Sequence, residues 1–170
     1  MIEERLALTT FDLLAQAFAY PVPGMLEQLA EGWQDLPTGA LKRALRRFIQ
    51  EVQGLSLSEW EELYTRTLDL SPLISPYVGF QVWGDSYQRG KFLSQLNRAL
   101  LYYDVDTGGE LPDHLIPVLR YLSISPTPAS ELLEALSPAL GKMQAELKKK
   151  DRTNPYRWLL LAVQHAIRRI

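Results

Sequence analysis

The chain reads as a single all-α domain, a helical bundle. Three observations predict it. Apolar residues recur every three to four positions through most segments, the period of a helix with one buried face. No stretch shows the sustained alternation and β-branched enrichment of a strand. The 170 residues also run without a low-complexity tract, an interdomain linker or an internal repeat, so one core serves 1–170.

Taken in order, Ala7, Phe11, Leu14, Ala15 and Phe18 share a face of the first helix, which Pro21-Val22-Pro23-Gly24 ends. A short helix around Met25–Ala30 follows. Leu41, Ala44, Leu45, Phe48, Ile49 and Val52 form the clearest stripe, with Gly54 as its stop. Ser58 and Glu61 have capping-box spacing for a helix through about Leu68, with Leu57 as the hydrophobic staple. From Asp69 to Gly84 the pairs Ser71-Pro72 and Ser75-Pro76 prevent an uninterrupted helix, although Leu73, Ile74, Val78 and Val82 are apolar. Such a connection must be buried or line something.

A long helix is expected from about Asp85, its N-cap, to Tyr103, with Phe92, Leu96, Ala99 and Leu100 in phase. Asp113 is placed to cap the next, striped by Leu115, Val118, Leu119 and Leu122. Thr127-Pro128 reads as N-cap and first helical position of the following one. Leu133, Leu136, Leu140, Met143 and Leu147 stay in phase across Pro138, which predicts one kinked helix whose closing lysines, Lys148 to Lys150, complement its dipole. Asn154-Pro155 opens a last helix that is apolar nearly all round, hence central.

Composition narrows the function. Eighteen basic residues against twenty acidic ones leave a formal charge of −2, not the basic field that a nucleic-acid partner needs. Without cysteine there is no disulfide framework, thiolate metal site or thiol nucleophile. The apolar runs fall short of the ~20 residues that span a bilayer. Met1-Ile2-Glu3-Glu4 is acidic where a secretory signal would be basic. A cytoplasmic protein with no direct membrane insertion is expected. There is no glycine-rich phosphate loop and no serine elbow, and His114 and His165 fall on separate helices. No cofactor, no metal and no catalysis are expected; a binding role is the better default.

Three constellations are candidates for that role. Glu110-Leu111-Pro112-Asp113-His114 follows a Gly108-Gly109 break and opens an apolar run. Helix capping alone could explain Asp113, and a polar hook on a peptide or nucleotide is the functional alternative. In the second, Trp60, Tyr64 and Leu68 recur at i, i+4, as core residues do, and Asp69 at a helix end needs a cationic or N–H partner. In the third, Tyr77, Phe80 and Trp83, followed by Asp85 and Arg89-Gly90, either pack a connection or wall an apolar groove that grips a peptide. Lys42, Arg43, Arg46 and Arg47 read as a solvated basic face turned away from any such groove.

In this order the segments resemble the cytoplasmic chaperones that mature molybdenum-containing oxidoreductases, the NarJ/TorD/DmsD group, and above all its NarJ-type members, which assemble respiratory nitrate reductase. The resemblance rests on Leu63-Tyr64-Thr65-Arg66-Thr67-Leu68-Asp69, on Gly84-Asp85 with Arg89-Gly90, and chiefly on Gly109-Glu110-Leu111-Pro112-Asp113-His114-Leu115, which matches the family's E-x-x-D-H element. Similarity is best from Trp60 onward. Leu68 stands where relatives carry Phe, Trp83 where they carry His, and prolines replace basic residues in Ser71–Pro76.

The resemblance implies an all-helical chaperone without catalytic activity. It would bind the N-terminal segment of a catalytic subunit, hold it ready for molybdenum cofactor insertion and delay its membrane attachment or export. The implied peptide-binding residues are Tyr64, Asp69, Tyr77, Asp85, Asp113 and His114, with Phe80, Trp83, Arg89 and Glu110 beside them. Swapped dimers occur among relatives, so a monomer or a domain-swapped dimer hinged at Asp69–Gly84 is expected. The alternatives are a TorD/DmsD-type chaperone serving a twin-arginine client, a helical adaptor unrelated to molybdenum, and an enzyme using Asp113 and His114 as an acid–base pair. The last lacks a nucleophile or cofactor cradle.

Overall fold

The computed structural model describes residues 2–170, with side chains from Thr9 onward, so Ala7 of the first stripe lies outside the described side chains. Among the described residues the chain forms nine helices: α1 (Ile2–Ala17), α2 (Met25–Gln34), α3 (Ala40–Gln53), α4 (Leu57–Leu68), α5 (Val78–Trp83), α6 (Tyr87–Tyr102), α7 (Leu115–Ile124), α8 (Ser130–Lys150) and α9 (Tyr156–Ile167). The all-α single domain is as expected. None of the described helices is long and apolar enough to cross a membrane.

Helix α9 is central, as its apolar circumference requires: it packs on α1, α3 and α8, with Leu159, Leu160, Ala162 and Val163 fully buried. The stripe predicted for α3 is buried throughout. At the N-terminal end of α9 the buried Tyr156 gathers an aromatic cluster, 5.2 Å from Phe48 and 6.4 Å from Phe18 and Tyr64. Asn154 orders the turn before it: its Oδ1 accepts from Tyr156 N–H at 2.9 Å and its Nδ2 donates to Thr67 Oγ1 at 2.8 Å. One buried amide thus ties α9 to α4.

Four helix starts differ from the expected ones. The capping box of α4 is Ser56 with Glu59, not Ser58 with Glu61; Leu57 becomes the first helical residue and the staple position passes to Leu55. Ser56 closes both reciprocal bonds there, at 3.0 and 3.1 Å, and the helix starts a half-turn earlier. Helix α6 is capped by Ser86, which accepts from Arg89 N–H, and not by Asp85. Helix α8 starts at Ser130, beyond Thr127-Pro128, because the Tyr121 hydroxyl takes the Ala129 N–H at 3.1 Å. Helix α7 is capped by His114 and not by Asp113. Gly54 ends α3 in right-handed geometry, φ −75°, so no left-handed residue is needed there. Pro138 is accommodated within the single helix α8.

The proline-bearing connection is pinned by the lysines of α8. Lys150 Nζ donates to Leu73 O and Lys142 Nζ to Gln81 O, each at 2.9 Å. The second bond satisfies a carbonyl at the C-terminal end of α5, where a cation is favoured. Ile74, Pro76 and Val78 are buried. Short helix α5 therefore sits on α8 and against α6.

Candidate functional site

Residues 76–79 and 113–115 run antiparallel and form an isolated bridge between Tyr77 and His114. Val78 N–H donates to Asp113 O at 2.8 Å and Leu115 N–H to Pro76 O at 3.0 Å. This bridge brings together two segments that are far apart in sequence.

Asp113 is the keystone. Its side chain is fully buried, accepts from Gly79 N–H at 3.0 Å, and meets Arg89 through Nε at 3.2 Å and Nη2 at 3.3 Å. Bidentate, charge-assisted contacts of this kind orient both partners. They explain why Asp113 does not cap α7: its oxygens are already taken by α5 and α6. Gly79 is required by the same packing, since a Cβ there would lie 2.7 Å from Asp113 Oδ2 and 2.9 Å from Phe92 Cδ1. Having no exposed surface, Asp113 positions its neighbours rather than touching a ligand.

His114 is buried, and its Nδ1 accepts from Ile116 N–H at 3.1 Å. That bond assigns the ring proton to Nε2. Burial holds the imidazole pKa below its usual range, against the opposing charges of Glu110, Asp113 and Asp69. The ring is therefore neutral at pH 7, with Nε2–H available as a donor.

Tyr77 closes the other side. Its ring stands edge-on to His114 at 5.2 Å, and its hydroxyl donates to Glu110 Oε2 at 2.5 Å. Burial, reinforced by that bond, pushes the phenol well above its ordinary pKa and keeps it a donor. The Arg89 guanidinium lies over the rings of Tyr77 (5.7 Å) and Phe80 (5.5 Å). Tyr64 is half-buried; burial first, then the charges of Asp69 and Glu110, raise its pKa. Asp69 itself is exposed at the end of α4, where its backbone N–H bonds to Thr65 O.

The structure thus gathers Tyr77, Phe80, Arg89, Glu110, Asp113 and His114 around one bridge, with Tyr64 and Asp69 in electrostatic reach of it. Two other expected residues stand apart. Trp83 packs on Phe92 at 4.9 Å, and Asp85 is exposed in the turn between α5 and α6. Of the predicted basic face, Arg43, Arg46 and Arg47 are exposed, whereas Lys42 bonds to Gln34 O and Leu36 O and lies 4.7 Å over Trp33.

Among the described residues two grooves flank α4, and His114 lines neither. One, of about 370 Å³, lies against the α8–α9 turn and holds the loose 3.8 Å pair Arg66–Asp151. The other, of about 490 Å³, runs from Tyr20 past Glu61, Glu62 and Thr65 to Leu70 and Leu73. Tyr20 and Leu70 were not foreseen as site residues. Tyr20 reads as the tail of a finished helix, and Leu70 as one more apolar residue of a connection.

Among the described residues, no group of three or more His, Asp or Glu side chains is placed to hold a metal. What the site does offer is exposed carboxylate beside aromatic faces and a neutral imidazole donor. The carboxylate and the aromatic faces suit a cationic, partly apolar ligand, an arginine side chain above all, while the imidazole N–H suits a carbonyl acceptor such as a peptide backbone. No family model and no curated protein matches this chain.

Proposed function

We propose that this protein is a cytoplasmic peptide-binding assembly chaperone of the NarJ kind. It would hold the N-terminal segment of a molybdenum oxidoreductase catalytic subunit, respiratory nitrate reductase in the first instance, during cofactor insertion and assembly. The observation that carries the reading is the convergence of Tyr77 and Glu110 with His114 across one bridge, with Tyr64 and Asp69 in electrostatic reach. Tyr64, Asp69, Glu110 and His114 belong to the segments on which the family resemblance rests, Tyr77 is a position it implies, and together they present acid and aromatic surface to an arginine-bearing peptide. Each exposed Arg–carboxylate contact contributes about 1 kcal/mol or less. Apolar burial at ~25 cal/mol per Å² therefore supplies most of the affinity.

Calorimetric titration with leader peptides from molybdenum oxidoreductase catalytic subunits tests this. The proposal expects saturable heat release with one of them; a flat titration with all of them defeats it. A twin-arginine client in place of nitrate reductase would identify a TorD/DmsD-type chaperone.

A second reading is favoured by the burial of Asp113: a helical adaptor in which Asp113 and His114 serve only to join α5, α6 and α7. Under it, His114→Asn, which keeps an acceptor for Ile116 N–H, leaves every binding activity intact. Under the chaperone reading, loss of the Nε2–H donor weakens peptide binding.

A further inference from the structure

The groove between Tyr20 and Leu73 is continuous with the site through one residue. The Tyr20 ring stands edge-on to Tyr64 at 5.3 Å, and the charge of Asp69 acts on both phenols and on His114. Tyr64 thus touches the groove through Tyr20 and lies within electrostatic reach of Glu110 at the site.

Its chemistry is specific. Leu70 is 73% exposed and Tyr20 47%, which makes an apolar floor open to solvent. The Leu70 exposure is built in: Ser71 turns the chain through a left-handed conformation, φ +47°, and Leu73 N–H and Ile74 N–H then bond back to Arg66 O and Thr67 O. An exposed leucine on a bonded turn presents surface instead of hiding it. The lip is acidic, with Glu61 and Glu62 lining the groove and Asp69 beside it. Among the described residues the one cation of the lining is Arg66, which leans toward Asp151 at 3.8 Å.

We propose that this groove is a second seat for the same ligand, taking an aliphatic side chain of a basic polypeptide segment whose adjacent cation lies between Glu61 and Asp69. The inference rests on the peptide-binding reading above and deepens it. The client then lies across the end of α4, with one contact at Tyr77–His114 and a second at Tyr20–Leu70. A chain with both a cation and a leucine-like residue satisfies both; a purely acidic or purely polar segment satisfies neither.

The test is fluorescence anisotropy with a labelled leader peptide that calorimetry has shown to bind, and with the same peptide carrying Gln for Arg. The proteins are wild type, Leu70→Asp and Glu61→Gln, with thermal midpoints checked against wild type, since both positions lie on the surface. Leu70→Asp should weaken the arginine peptide about tenfold. Glu61→Gln should weaken it severalfold while leaving the glutamine peptide unchanged, the coupling expected of a direct charge contact. Wild-type affinity in both variants overturns the second seat while the first stands. If no leader peptide binds wild type, the chaperone reading and the second seat fall together. Unchanged peptide affinity with a dimer that disperses in Leu70→Asp on sedimentation would give the groove to a second copy of this chain and overturn the proposal.

Discussion

Asp113 Oδ2 lies 3.2 Å from Arg89 Nε, with the carboxylate fully buried and the guanidinium side chain 13% exposed. One ion pair thus joins the start of α7 to the first turn of α6, while the same oxygen holds the first turn of α5 through Gly79 N–H. Removing either partner strands a desolvated charge, which costs about 3–5 kcal/mol in comparable buried pairs. Arg89→Ala and Asp113→Ala should each lower denaturant stability by about that amount, and the double variant by much less than the sum. Additive losses would show that the two groups do not act together.

Gly79 makes the contact sterically possible. Gly79→Ala forces a Cβ against Asp113 and Phe92 and should destabilise by about 1–3 kcal/mol. Gly141, also helical, has open space at its Cβ position, so Gly141→Ala should stabilise by about 0.5–1 kcal/mol through helix propensity alone. Thermal melts of the two variants should move in opposite directions.

The fold was legible because helical periodicity survives in nearly every segment; Leu41 to Val52 and Leu115 to Leu122 are buried as their spacing demands. Four helix starts were not, and for α7 and α8 the deciding partners are tertiary. Asp113 caps nothing once Arg89 and Gly79 claim its oxygens, and Ala129 N–H is drawn to a tyrosine from another helix. Ser58 with Glu61 has the spacing of a capping box, but the structure closes the box at Ser56 with Glu59, two residues earlier, and the same spacing fits both. The cluster at His114 was legible as residue types. Its assembly by a bridge between residues 77 and 114, and the groove reaching back to Tyr20, depend on contacts that no local pattern encodes.

His114 makes stability pH-dependent. Its folded pKa is below the unfolded value of about 6.5, so the folded state binds fewer protons and stability rises with pH through that window. Stability is fully present above pH ~6.5 and is lost as the pH falls below it, where protonation of Nδ1 also breaks the cap on Ile116. His165, likewise lowered by burial and by Arg168, Arg169 and Arg43, adds a slope of the same sign. His114→Asn should keep the cap and flatten the slope of denaturation free energy between pH 5 and about 6.5 to the part owed to His165. An unchanged slope would show that His114 titrates alike in both states.

Asn154 links α4 to α9 by side-chain bonds to Thr67 Oγ1 and Tyr156 N–H. Asn154→Ala leaves the buried Tyr156 N–H unpaired and removes a donor from Thr67 Oγ1, which still donates to Leu63 O at 2.7 Å, and should cost about 1–3 kcal/mol in chemical denaturation. Asn154→Asp, which keeps only the acceptor for Tyr156 N–H, should also fail to restore the Thr67 bond. Wild-type stability in Asn154→Ala would mean that the buried amide contributes nothing net.

The most direct test of the central claim is where a bound peptide sits. Amide chemical shifts of the labelled protein, followed during titration with a client leader peptide, should move at residues 64–79 and 110–116 and stay still along Arg43 to Arg47 of α3. Shifts confined to α3, or spread evenly with none at Tyr77 and His114, would contradict the account.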